Sequence, residues 1–150
     1  MKKITLVCLI LCVTVFCLTA CASLSTYMDR LGSFYTVEDF GEEDRVAFNE
    51  AFGINLDDYS IIEGVNVTNN EVGASATIIA CWGESAAEDL VADLQAQVAA
   101  LNDGTNEHAF IVVNEGRFVL VGEEPAINDA MGIKAEGEPE VEPEVEPEAE

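Results

Sequence analysis

Histidine is almost missing: in 150 residues only His108 is present. With no second histidine and no cysteine at ligand spacing, the chain has no zinc-site pattern, and a serine or cysteine triad would have to be built on that one imidazole. No Gly-x-Ser-x-Gly motif, phosphate loop or dinucleotide fingerprint occurs. Basic residues are scarce as well. Six Lys and Arg face 29 Asp and Glu, a formal charge of −23, and such a surface repels phosphate, which argues against nucleic acid as a partner and against recruitment by anionic headgroups. The residues point away from an enzyme, and no cofactor or metal site is assigned.

Cysteine is present but badly placed for disulfides. Of five, Cys8, Cys12 and Cys17 lie in an apolar start and Cys21 just after it, leaving Cys81 as the one thiol of the body. An exported small domain without a disulfide must rely on its apolar core. Cys81 closes the run Ile78-Ile79-Ala80-Cys81-Trp82 with no basic neighbour, so it reads as a buried, unreactive residue.

The start has the form of an export signal. Met1-Lys2-Lys3 precedes an apolar run from Ile4 to Leu18, a charged n-region and an apolar h-region. At about fifteen residues the run is short for a spanning helix, which needs about twenty. Leu18-Thr19-Ala20-Cys21 resembles a lipobox, with small residues before a thiol nucleophile. The resemblance implies diacylglycerol in thioether linkage on Cys21, cleavage before it, and a protein held on the extracytoplasmic face of the cell membrane. Two alternatives compete: an uncleaved anchor from Ile4 to about Ala22, and an ordinary cleaved secretory peptide. Loss of Lys2 and Lys3 with the signal takes the formal charge from −23 to −25. One acyl chain binds a membrane only marginally, at about 10⁴ M⁻¹, whereas two hold it stably.

The chain divides into a signal peptide at 1–20, a polar tether at 21–36, one folded domain at 37–133 and an acidic tail at 134–150. The tether is rich in Ser and Thr, with room for a turn of helix around Tyr27 to Leu31. The tail reads Glu-Gly-Glu-Pro-Glu-Val-Glu-Pro-Glu-Val-Glu-Pro-Glu-Ala-Glu over residues 136–150, which cannot bury a core and is expected to be extended and disordered. Its plain role is solvation; a partner-binding arm or a weak cation sponge are the alternatives.

Within the domain, Val46, Ala47, Ala51 and Phe52, with Phe48 near them, suit a helix over Glu42 to Phe52, closed by Gly53. Tyr59 to Val67 reads as a strand and Asn69-Asn70 as its turn. Val72, Ala74, Ala76, Ile78 and Ala80 then alternate with polar or small residues, a strand whose small side chains invite a helix onto that face. Ser85 and Glu88 have capping-box spacing before the stripe Ala87, Leu90, Val91, Leu94, Val98 and Leu101, and Asn102-Asp103-Gly104 stops that helix. Ala109–Val113 and Arg117–Val121 form a hairpin about Asn114-Glu115-Gly116, and Pro125 opens a last helix to Met131. The order α-β-β-α-β-β-α predicts an α+β domain of two layers: a four-stranded antiparallel sheet with helices on one face. Roughly 95 residues bury about 60 to 65% of the unfolded surface, enough for one modest core.

Carboxylates are plentiful, which makes calcium a candidate ligand. Asp57-Asp58 and Glu42-Glu43-Asp44 could each supply oxygens, but neither fits an EF-hand loop, and turn or helix-start roles are favoured. Trp82 and Tyr59, near strand ends, could line a ligand groove, though packing in the core or on the sheet is the favoured role.

Phe52-Gly53-Ile54-Asn55-Leu56-Asp57-Asp58-Tyr59, the helix after Ser85, and the strands Phe110-Ile111-Val112-Val113 and Gly116-Arg117-Phe118-Val119-Leu120-Val121 together resemble a family of small lipoproteins of Gram-positive bacteria that is classified only as a domain of unknown function. The resemblance spans about residues 46 to 131 and the lipobox, and it brings no catalytic residues. The reading that follows is a lipid-anchored, non-enzymatic interaction or ligand-binding domain whose partners are the membrane, through lipid on Cys21, and another envelope protein or an extracellular ligand. Alternatives are an acidic divalent-cation-binding protein of the cell surface and an accessory solute-binding lipoprotein.

Overall fold

The computed structural model describes residues 23–102 and 107–133. The signal segment, Cys21 and the acidic tail lie outside the described residues.

The apolar pattern of two strands dictates the layering. In β3 (Ser75–Cys81), Ala76, Ile78 and Ala80 belong to one cluster while Ile79 and Cys81 belong to another. In β5 (Phe118–Glu123), Phe118 and Leu120 join the first and Val119 and Val121 the second. Strands that are apolar on both faces need cover on both. The sheet is therefore the middle of three layers, which corrects the expectation of two layers with helices on one face.

The class is α+β with an antiparallel sheet, as expected, but the strands number five. Their order is β1-β2-β3-β5-β4, with β1 at Tyr35–Asp39, β2 at Ile61–Asn69 and β4 at Phe110–Glu115. β1 was not anticipated because it has no buried stripe: beyond the half-buried Tyr35 all its side chains are exposed. Backbone pairing to β2 holds it, from Tyr35 opposite Asn69 to Asp39 opposite Val65. Glu38 and Asp39 on this edge discourage pairing with other chains.

The segment expected as a tether is folded over its described part. Helix α1 (Leu24–Met28) precedes β1 and buries Leu24 and Tyr27, which are 6% and 1% exposed. The Tyr27 ring meets Phe118 edge-on at 5.2 Å. Helix α4 (Glu124–Met131) lies on the same face. Its Ala126 and Ala130 fit against the small side chains of β3, the close approach that the alternating alanines implied.

The opposite face carries α2 (Glu42–Phe52) and α3 (Glu84–Leu101). The stripe of α2 is narrower than expected. Phe48 and Phe52, one turn apart, are buried, whereas Val46 points to solvent. Gly53, at φ +62°, ends that helix as expected. A 3₁₀ turn at Leu56–Tyr59 follows. The capping box at Ser85 does not form: the N-cap is Gly83, with no side-chain cap. The stripe from Ala87 to Val98 is buried as read, but Leu101, expected to close it, is exposed.

Two glycines are set by geometry. Gly116, at φ +61°, turns β4 into β5 where Glu115 pairs with Phe118. Gly122, at φ +152°, faces Ala76 so closely that a Cβ would lie 2.5 Å from both Ala76 Cα and Ser75 O. Only glycine lets β5 and β3 meet there. No helix among the described residues is long and apolar enough to cross a membrane.

Candidate functional site

The residues singled out in the sequence do not converge. Trp82, expected to pack, is 79% exposed. Tyr59 packs half-buried against the α3 side of the sheet, as expected, and donates its hydroxyl to Asp93 on α3. Asp57 accepts from Arg45 at 2.7 Å. Asp44 accepts the backbone N–H of Gly41 at 2.9 Å, with Glu42 and Glu43 beside it in the first turn of α2. His108 borders a hollow of about 300 Å³ beside α4, and its Nε2 has no hydrogen-bond partner. Cys81 is fully buried, and burial pushes its thiol pKa up, which keeps it protonated. Among the described residues, no group of three or more His, Cys, Asp or Glu could hold a metal ion.

The arrangement with most chemical character is a groove of about 450 Å³ on the α2 and α3 side of the sheet. Near Ile79 and Cys81 this face is apolar and covered by α3. Toward the other end the same face turns polar: Asn66 pairs with Thr77, and Thr68 with Ser75. These four form the floor, where the Thr77 hydroxyl donates to Asn66 Oδ1 at 2.8 Å. Phe48 and Phe52 of α2, Leu101 at the end of α3, and Phe110 of β4 supply apolar walls, and Glu38 of β1 stands at the margin. The result is a concave site with apolar sides and a few fixed polar groups, the usual make-up of a ligand site.

One wall is held by a side chain. Asn102, the C-cap of α3, donates Nδ2–H to the carbonyl of Phe110 at 2.7 Å and accepts its N–H on Oδ1 at 2.8 Å. The groove was not legible in sequence. Asn66, Thr68, Ser75 and Thr77 lie in two strands, and only the register between them makes one floor. The polar positions of an alternating run were the available signal.

All three tyrosines hold carboxylates of distant segments. Tyr27 donates to Glu115 at 2.9 Å and Tyr35 to Asp129 at 2.6 Å, alongside the Tyr59–Asp93 pair. Burial, then the Glu115 contact, pushes the Tyr27 pKa well up. Burial, then the bond to Asp129, raises Tyr35 to about 12; for Tyr59 the bond to Asp93 leads and burial follows, also to about 12. In a chain this acidic, phenol hydroxyls take the place of scarce cations. The described residues contain one ion pair, Arg45–Asp57.

No family model matches the chain, and neither the curated proteins nor the solved structures contain a match.

Proposed function

We propose that the protein is a lipid-anchored, non-enzymatic binding domain of the extracytoplasmic membrane face, which engages a ligand or an envelope protein through the groove over Asn66 and Thr77. The lipobox at Cys21 supports the anchor. The observation that carries the binding role is the groove itself: a floor of four polar side chains under apolar walls, within a volume of about 450 Å³. Its walls come from α2, α3 and β4, all seated on one sheet, so the site is preformed and little ordering is needed to fill it.

The solute-binding alternative relied on a pocket lined by Trp82 or Tyr59, and neither lines this groove. In the calcium alternative, Asp57 and Asp44 are already engaged with Arg45 and Gly41. Asp58, Glu42 and Glu43 remain, but no group of three or more such side chains among the described residues could hold a metal ion.

A photo-crosslinking amino acid at Ser75, in the groove, tests the reading against one at the exposed Glu88 on the outer side of α3. Adducts on intact cells from Ser75 and not from Glu88 are expected. Equal yields at both positions, or none at Ser75, contradict a role for the groove.

A further inference from the structure

Trp82 is the only tryptophan of the chain and its most exposed large apolar side chain among the described residues. It stands just past the end of β3, where its backbone N–H donates to the carbonyl of Ser60 at 3.0 Å. Ile62, 46% exposed, lies close by. Ile61 pairs with Cys81, and the register shifts between Ile61 and Glu63, which makes Ile62 the extra residue of a bulge. Two large apolar side chains thus project from one end of the sheet, across two neighbouring strands.

The described chain also starts at that end. Ser23 and Leu24 border the same surface hollow as Phe40, Glu63 and Gly64, and Glu63 follows Ile62. Cys21 precedes Ser23 by two residues, and two residues of extended chain reach about 7 Å. Lipid on Cys21 would hold this end of the sheet close to the bilayer.

We propose that Trp82 and Ile62 dock into the headgroup interface of the anchoring membrane and fix the orientation of the domain; this rests on lipid attachment to Cys21. An indole suits that depth, with an apolar body and a polar N–H. Ile62 adds apolar area that leaves water. Asp39, Glu63 and Glu115 lie at the same end as Arg117, and the nearby Arg45 is already paired with Asp57. The membrane that fits is therefore one of zwitterionic headgroups, since an anionic one repels these carboxylates. The groove lies toward the opposite end, where Thr68 pairs with Ser75 and Ala76 with Gly122. Docking at Trp82 points it away from the bilayer, toward whatever approaches from outside. Phe34 and Val72, also exposed, are at the groove end and stay clear of the membrane.

The test uses the full chain made in a host that processes lipoproteins, fed a clickable fatty acid, then purified and reconstituted into phosphatidylcholine vesicles with brominated acyl chains. Because the chain has one tryptophan, its emission reports Trp82 alone. The expected result is label on Cys21 together with blue-shifted emission that the bromines quench. In Ile62→Asp, label should persist while the blue shift and the quenching are largely lost; unaltered quenching there overturns the part given to Ile62. Label with water-like, unquenched emission overturns the docking and leaves the anchor standing. Absence of label overturns the anchor, and the docking with it.

Discussion

The side-chain amide of Asn102 pairs with both backbone groups of Phe110, donating to its carbonyl and accepting its N–H. An amide side chain presents a donor and an acceptor side by side, so it can act as a one-residue neighbour for the free edge of β4. It ties the end of α3 to the start of β4 and fixes one wall of the groove.

Asn102→Ala should therefore cost about 1 to 2 kcal/mol, the net worth of two partly exposed hydrogen bonds. Asn102→Asp keeps the acceptor, loses the donor and should fall between. Urea denaturation of the three proteins checks the order.

Gly122→Ala should be the most damaging single methyl in the sheet. Its Cβ would meet the backbone of Ser75 and Ala76 at 2.5 Å, and the backbone φ of +152° is one that alanine rarely adopts. Backbone cannot move aside as a side-chain tip can, and a loss of about 3 kcal/mol is expected. Thermal unfolding followed by circular dichroism would show it, whereas Ala at Gly32, where a Cβ makes only ordinary contact with Phe34, should change little.

These two residues show where the sequence was legible. The stripe from Ala87 to Val98 and the helix-ending Gly53 depend on neighbours a turn away, and both were read correctly. α1 and the first two residues of β1 fall in the stretch expected as tether because their case is made by partners far along the chain: Tyr35 by Asn69 and Asp129, Tyr27 by Phe118 and Glu115. The second layer of helices was missed for a related reason. An alternating strand shows which residues share a face, but not whether a smaller apolar set opposite, such as Ile79 and Cys81, is also covered. The groove floor required the register of β2 on β3, which no local pattern carries.

Alkaline stability should depend on the tyrosines. Tyr35 and Tyr59 have folded-state pKa values raised from 10.0 to about 12. A raised pKa stabilises the fold while pH is below the unfolded value, and that stability is lost as pH rises from about 10 through about 12. Tyrosinate absorbance should thus lag behind that of free tyrosine and rise with loss of the circular dichroism signal. Tyr35→Phe, lacking the bond to Asp129, should have a weaker dependence on pH in this window.

Cys81 should be silent toward thiol reagents. Fully buried and held protonated, it should not react with a maleimide at neutral pH until urea unfolds the domain. Cys81→Ala should cost about 1 kcal/mol and leave location unchanged. Rapid alkylation of the native domain at Cys81 would contradict the packing of α3 on β3.

The anchor at Cys21 is tested most directly by feeding cells a clickable fatty acid and comparing the native chain with Cys21→Ala. Without that thiol no diacylglycerol can be attached, and the lipoprotein-specific peptidase should leave the precursor uncut. The native chain should take up label and sediment with membranes in its cleaved form, and Cys21→Ala should take up none and remain as precursor or be lost from the membrane. Label and cleavage that persist in Cys21→Ala would contradict the lipid-anchored reading.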